Sequence, residues 1–200
     1  MEGTNFWASI DEQKKIMVGQ RNYAIENLKD KPEHSFWTVA QRTGVLEALN
    51  KLSLLYHQSN VAIRGELVGP GIQGNYYKLK QLRLFIFDVE VNKHAFSFDE
   101  LQNILQTYNL IQYFVPILAK NVMLCDWLNN NTIQQMSNGL SFINPKGVKE
   151  DFTEFEIKKG DKPRLREGIV IKPIQEDYIQ GFGRLFLKQR DPIYLDKTGF

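Results

Sequence analysis

A chain of 200 residues with 42% hydrophobic and 24% charged side chains can build one domain with an ordinary core, and a net charge of +2 is too mild to demand a polyanionic partner while still permitting a local basic patch. A single cysteine, Cys125, excludes an intramolecular disulfide and a cysteine-rich zinc site, and its apolar neighbours Val122, Met123 and Leu124 predict a small buried hydrophobe. No basic flank followed by an apolar block opens the chain, and the most apolar stretch, 110–124, carries Gln112, Lys120 and Asn121 and is too short and polar to span a bilayer, so a monomeric, cytoplasmic protein without membrane contact is expected.

In chain order, 1–22 reads as a strand-like or turn segment followed by a polar stretch. Residues 35–58 predict one helix, with Val39, Leu46, Leu49, Leu52 and Leu55 at helical spacing and Gln41, Arg42, Glu47 and Lys51 between them. Residues 61–68 predict a strand, and the glycines and proline of 69–75 a loop. That loop is not a phosphate-binding fingerprint, since no Gly-Lys-Ser/Thr follows and the next element is a strand. Residues 76–92 are strand-rich through Leu82, Leu84, Phe85, Ile86, Phe87 and Val89. Ser97-Phe98-Asp99-Glu100 predicts a capping box opening a helix whose apolar face is Leu101, Ile104 and Leu105. Residues 113–118 predict an edge strand because of Pro116. Residues 131–138 predict a short helix ending at Gly139. The charged stretch 146–162 reads as a surface excursion, after which 168–172 and 185–188 return to strand. Mixed strands and helices without βαβ alternation predict an α+β fold with largely antiparallel sheets.

Four segments place charge in or beside apolar, strand-like runs: Arg64-Gly65-Glu66-Leu67-Val68-Gly69, Phe85-Ile86-Phe87-Asp88, Glu167-Gly168-Ile169-Val170-Ile171-Lys172 and Leu187-Lys188-Gln189-Arg190. Charge there is costly unless paired or used. Each segment alone has a plain structural explanation. Glu66 or Asp88 would be a paired carboxylate, Phe87 a core residue, and Lys188 and Arg190 a solvated strand face. His34, His57 and His94 show no metal spacing, and Trp7, Trp37 and Trp127 read as packing residues. Together the segments supply what moving a nucleotidyl group from ATP requires. Phe87 offers a face for the base. Glu66, Asp88 and Glu167 are carboxylates of the oxygen type that Mg²⁺ takes. Arg21, Lys172, Lys188 and Arg190 are cations for phosphate charge. A lysine nucleophile is not evident; Lys14 and Lys15 lack a set geometry for that work.

The ordered set resembles the RNA-ligase branch of the covalent nucleotidyltransferases, the superfamily of ATP-dependent polynucleotide ligases and mRNA capping enzymes. Met1-Glu2-Gly3-Thr4-Asn5 resembles the end of its Lys-x-(Asp/Glu/His)-Gly motif. Gln20-Arg21-Asn22 resembles the next, Arg64-Gly65-Glu66 the ribose-binding strand, and Phe85-Ile86-Phe87-Asp88 the third motif. Glu167 to Lys172 resembles the fourth, and Leu187-Lys188-Gln189-Arg190 the fifth. The resemblance implies a nucleotidyltransferase (ATP-grasp-like) domain over 1–200, with antiparallel sheets around an ATP pocket. It implies nucleotide contacts from Glu2, Gly3, Arg21, Glu66, Phe87, Lys172 and Lys188, and metal contacts from Asp88 and Glu167. Catalytic roles fall to Lys188, Arg190 and Glu167, with ATP/AMP and Mg²⁺ as cofactors and nicked or single-stranded RNA ends as partners.

Two departures stand out. The second cation of the fifth motif is Arg190 where lysine is usual, which keeps the charge and adds a planar fork. The family's lysine would fall one residue before Met1. Self-adenylylation is therefore not expected of the sequence as it stands, leaving the sealing of pre-adenylylated ends or nucleotide binding. A non-catalytic nucleotide- or RNA-end-binding module, and a capping-enzyme or DNA-ligase type of nucleotidyltransferase, remain the alternatives.

Overall fold

The computed structural model describes residues 3–27, 34–57, 59–143 and 164–198, which form two compact units. The first comprises Gly3–Asn75 and Gln81–Val115, the second Tyr76–Lys80 and Pro116–Phe200. The expected excursion over 146–162 lies outside the described residues, as does Glu2.

The first unit is built on a six-stranded antiparallel sheet. Its strands are β1 (Thr4–Ile10), β2 (Ile16–Gln20), β3 (Tyr23–Ile25), β4 (Val61–Val68), β5 (Arg83–Val91) and β6 (His94–Ala95), in the order β3-β2-β1-β4-β5-β6. The two-residue period of β1 decides its faces. Phe6, Ala8 and Ile10 are buried, and the register sets them beside Gly65, Ile63 and Val61 of β4. Asn5 and Trp7 take the opposite face, beside Glu66 and Arg64.

Two helices, α1 (Ser35–Arg42) and α2 (Val45–Leu55), replace the single helix expected over 35–58. The chain breaks at Gly44, whose φ of +82° a glycine adopts at no steric cost. The Thr43 hydroxyl donates back to the Val39 carbonyl at 2.8 Å and closes α1. The break also resets the helical phase. The buried face of α2 is Val45, Ala48, Leu49 and Leu52, whereas Leu55, expected in the core, is 61% exposed. Each buried leucine removes enough apolar surface from water to contribute roughly 1.5–3 kcal/mol.

Helix α3 (Phe98–Thr107) starts where expected. Glu100 accepts from the Ser97 amide at 2.9 Å and from its hydroxyl at 2.6 Å, and Leu101 and Leu105 are buried. The edge strand expected over 113–118 does not form. A 3₁₀ turn at Ile111–Tyr113 leads to a lone parallel bridge between Phe114 and Ile86, and the Val115 amide donates to the Ile86 carbonyl at 3.0 Å. Pro116 then has no N–H with which to extend the ladder.

The second unit carries the short helices α4 (Leu124–Leu128) and α5 (Ile133–Ser137), and β7 (Gly168–Ile171) paired antiparallel with β10 (Leu187–Arg190). A hairpin of β8 (Tyr178–Ile179) and β9 (Gly183–Arg184) lies between these strands in sequence, and helix α6 (Pro192–Thr198) closes the described chain. Thr132 and Gln135 cap α5 reciprocally, and Gly139 follows its C-cap Asn138. Cys125 is exposed rather than buried. Helix α4 is one turn long and buries none of its residues, so an apolar neighbourhood in sequence does not become a core in space. The fold class is thus α+β with antiparallel sheets, as the sequence implies. No helix among the described residues is long and apolar enough to cross a membrane.

Candidate functional site

In the first unit the register sets Glu66 and Asp88, with Arg64, on the face of the large sheet that carries Asn5 and Trp7. Gly3 lies against the end of β4, where an added Cβ would sit 2.6 Å from the Leu67 carbonyl oxygen and 2.8 Å from the Glu66 side chain. Glycine there allows the chain start to close on Glu66. Arg21 occupies the β2–β3 turn with φ +45°, and its carbonyl accepts the Trp7 indole N–H at 3.0 Å. The Trp7 ring in turn covers Gly19, where a Cβ would fall 2.3 Å from it. Trp7 thus acts as packing, as expected, and also fixes the turn that presents Arg21.

The β4–β5 ladder shifts between Arg64 and Gly65. Arg64 pairs with Asp88 and Gly65 with Ile86, so Phe87 is the extra residue of a β-bulge. Bulges re-aim side chains and concentrate beside active sites. Phe87 is half-buried, whereas Ile86 and Asp88 on either side are buried. Gly65 opposite the bulge admits the close approach, since a Cβ would lie 2.6 Å from the Phe85 carbonyl oxygen. Asp88, 5% exposed, stands across from Arg64, whose Nε donates to Glu90 Oε1 at 2.8 Å. The continuous apolar run of β5 hides this bulge, and nothing in the residue types singles out the Arg64–Glu90 pair.

In the second unit β10 presents Lys188 and Arg190 on one face, opposite Val170 and Gly168 of β7. Glu167, immediately before β7, lies with Oε1 3.3 Å from Arg190 Nε and 4.0 Å from Lys188 Nζ. The carboxylate is 15% exposed, and the two cations are 53% and 56% exposed. A largely covered carboxylate is thereby paired while the cations keep an exposed face for a further anion. Lys172 follows β7 directly and is half-buried. The structure brings Glu167, Lys188 and Arg190 together. Among the described residues no three of His, Cys, Asp and Glu cluster as a metal site. A shallow cleft of about 160 Å³ lined by Gly44, Glu47, Lys51 and Tyr108 contains none of the expected site residues.

The residues flanking this trio are fastened by groups the sequence analysis did not single out. The Arg164 guanidinium donates to the Tyr76 carbonyl and stacks over its ring, and the Leu165 amide donates to the Tyr76 hydroxyl at 3.0 Å. Arg166 donates to the carbonyls of Met136, Ser137 and Asn138 at the C-terminal end of α5, a place that favours a cation. Gly139 leaves the room, since a Cβ there would lie 2.5 Å from the Arg166 guanidinium. Burial lowers the Arg166 pKa from its ordinary value, and the Asp191 charge works against that shift. Asp191 is fully buried; its amide donates to the Glu167 carbonyl at 2.8 Å and its Oδ1 accepts from the Ile193 amide at 2.9 Å. It caps α6, with Pro192 in the first-turn position that proline favours. The Asp191-Pro192 pair was a legible helix-start signal; Arg166 carried none.

A comparison with curated proteins found no match. Solved structures of an RNA ligase from Naegleria gruberi are similar at 24% identity. A lysine-to-alanine mutant with ATP and Mn aligns with a TM-score of 0.69 over 100% of this chain. A glutamate-to-alanine mutant with AMP and Mn aligns with a TM-score of 0.69 over 98%, and the ligase with PPi with a TM-score of 0.67 over 98%. Each match covers 49% of the Naegleria chain, so this chain spans about half the length of the solved relatives. The likeness establishes a common fold. The RNA ligase family model matches residues 1–189, nearly the whole sequence, and the chain belongs to the RNA ligase family.

Proposed function

We propose that residues 1–200 are the nucleotidyltransferase domain of an ATP-dependent RNA ligase, a monomeric cytoplasmic protein that joins RNA 5′-phosphate and 3′-hydroxyl ends through AMP intermediates. The observation that carries this is the Glu167 carboxylate held against Lys188 and Arg190, in a chain of the RNA ligase family. In sealing, the 3′-hydroxyl oxygen bonds to the phosphorus of an adenylylated 5′ end and gives up its proton. The phosphoanhydride bond to AMP breaks, and AMP leaves with the bonding pair. Negative charge grows on the phosphate oxygens, and two fixed, half-exposed cations two residues apart on one strand suit that charge. Arg190 adds a forked, oriented donor set, and Glu167 holds its Nε edge.

Phe87, turned out of the ladder by the bulge, is assigned the adenine face. Glu66 is assigned the ribose, with Gly3 beside it, and Glu2 is assigned a further nucleotide contact. Arg21 and Lys172 are assigned further phosphate contacts. Asp88 and Glu167 are oxygen donors of the type Mg²⁺ accepts, and Mg²⁺ commonly binds one or two carboxylates together with nucleotide phosphates. When bound, the metal would neutralise phosphate charge. ATP and Mn in the Naegleria structures support this cofactor assignment.

The test uses a nicked RNA duplex carrying a pre-adenylylated 5′ end, with Mg²⁺ and the full chain. Sealing and its loss by about 10²-fold or more in Glu167→Ala are expected, a magnitude typical of removing one charge-stabilising group. Binding of that nick with equal affinity by wild type and Glu167→Ala, and sealing by neither, would instead identify a non-catalytic end-binding module.

A further inference from the structure

The β8–β9 hairpin holds aromatic side chains in solvent on a braced scaffold. At its tip Phe182 is 90% exposed, and Tyr178 on β8 is 47% exposed. The tip is shaped by Gly181 and Gly183, with φ of +82° and +90°, and closed by the Phe182 amide donating to the Ile179 carbonyl at 3.0 Å. Its base is locked by a bidentate pair. Arg184 Nε and Nη2 reach Glu176 Oε2 and Oε1 at 2.5 and 2.6 Å, with side chains only 17% and 12% exposed. The Leu185 amide adds a bond to the Asp177 carbonyl at 2.8 Å. Phe182 does not stand alone: Tyr178, Ile179, Phe186 and Leu187 of the same stretch are each 45% exposed or more, and grouped exposed apolar surface, unlike a scattered side chain, marks an interaction site.

The chemistry around it selects the occupant. From the hairpin the chain runs directly into Phe186, Lys188 and Arg190, alternate residues of one run, each half-exposed or more. Aromatic faces beside a row of cations are the composition that binds single-stranded nucleic acid, where bases stack and phosphates meet positive charge. A purely aliphatic tip, or an acidic neighbourhood, would instead suit a protein partner. We propose that the β8–β9 hairpin is a base-stacking platform, with Phe182 stacking on an unpaired nucleotide of the RNA strand whose phosphate backbone lies at Lys188 and Arg190. This rests on the ligase assignment above and adds to it a docking element for single-stranded RNA.

The experiment measures binding of a fluorescent, 5′-phosphorylated single-stranded RNA of about ten nucleotides to the full chain, alongside binding of ATP with Mn. Phe182→Ala should weaken RNA binding about tenfold, Phe182→Tyr should keep it, and Phe182→Leu should behave like alanine, because stacking needs a π-face. ATP binding should be the same in all four proteins. The salt dependence should be unchanged in Phe182→Ala, since no phosphate contact is lost. Wild-type affinity in Phe182→Leu would show a generic apolar contact and overturn the proposal. RNA affinity indifferent to Phe182, with nick sealing intact, would overturn the platform and leave the ligase assignment standing. Loss of a dimer in Phe182→Ala with RNA affinity unchanged would make a second copy the occupant, and equally overturn it. Failure of the wild type to bind RNA or ATP would remove both assignments together.

Discussion

Gly168 offers the sharpest test of how the second unit builds its charged trio. It follows Glu167 and pairs with Arg190 across the β7–β10 ladder. Its φ is +156°, a conformation L side chains rarely adopt, and a Cβ placed there would lie 2.1 Å from the Gln189 carbonyl oxygen and 2.8 Å from Arg190 Cα. Both obstacles are backbone, so no rotamer change relieves them. Reaching even a tight 3.0 Å contact from 2.1 Å requires the strands to part by about 0.9 Å. Backbone strain of about 1–3 kcal/mol and overpacking of about 1–3 kcal/mol put Gly168→Ala near 4 kcal/mol destabilised. A thermal melt should then fall by roughly 8–16 °C for a chain of this size. Displacing Arg190 by that distance from Glu167 should also slow the sealing of a pre-adenylylated nick by about 10²-fold. Gly183→Ala is the control. Its φ is +90° but nothing lies within 4 Å of the added Cβ, so only the strain of about 1–3 kcal/mol applies, a drop of roughly 2–12 °C. A Gly168→Ala protein that melts no lower than Gly183→Ala and seals at the wild-type rate would refute the reasoning.

Asp191→Ala removes the cap on Ile193 and the charge beside the half-buried Arg166, and should cost about 2–4 kcal/mol by thermal melt; Asp191→Asn keeps the cap and should recover about 0.5–2 kcal/mol of that loss. Glu100 titrates below its ordinary 4.5 because the Ser97 hydroxyl and then the Ser97 amide donate to its charged form. Its contribution is therefore fully present above pH 4.5 and is lost as the pH falls through the lower folded-state value. Protection factors for hydrogen exchange at the start of α3 should fall in that acid range, and in Glu100→Ala they should be low at every pH.

Much of the fold was legible because local signals and tertiary context agree. The strand over 61–68, the capping box at Ser97 and the short helix before Gly139 all combine a periodic pattern with a terminator. The failures arise where backbone geometry or tertiary context, or the lack of it, overrides a local pattern. Apolar spacing across 35–58 concealed the break at Gly44, because Val39 before it and the leucines after it still fall at helical intervals. Cys125 sits among apolar neighbours on a turn too short to bury any of them. The six motifs placed Glu66, Phe87, Asp88, Glu167, Lys188 and Arg190 in order, yet the bulge that turns Phe87 out of its ladder is a register event between two strands, and no residue type announces it.

The anchoring of the second unit shows how half-exposed groups can be held to a fixed geometry. The side chains of Lys188 and Arg190 are more than half exposed and would lose little by wandering. Their order comes from residues that never face a ligand. Four consecutive positions, Arg164 to Glu167, are tied down by Tyr76, by the end of α5 and by the Asp191 amide. Asp191 follows Arg190, and the Arg190 carbonyl itself accepts from the Ser137 hydroxyl at 3.4 Å. Arg166 and Asp191 are thus the inward-facing neighbours of the outward-facing Glu167 and Arg190. Side chains alternate along extended chain, so one residue of each pair can bury an oppositely charged anchor while the other presents its charge. Asp191 Oδ2 is buried without a hydrogen-bond partner among the described residues, which leaves the nearby Arg166 charge as its main compensation. Removing Arg166 strands the buried Asp191 charge, and removing either anchor loosens a contact. The Glu167–Arg190 distance therefore depends as much on Arg166 and Asp191 as on the two residues that define it.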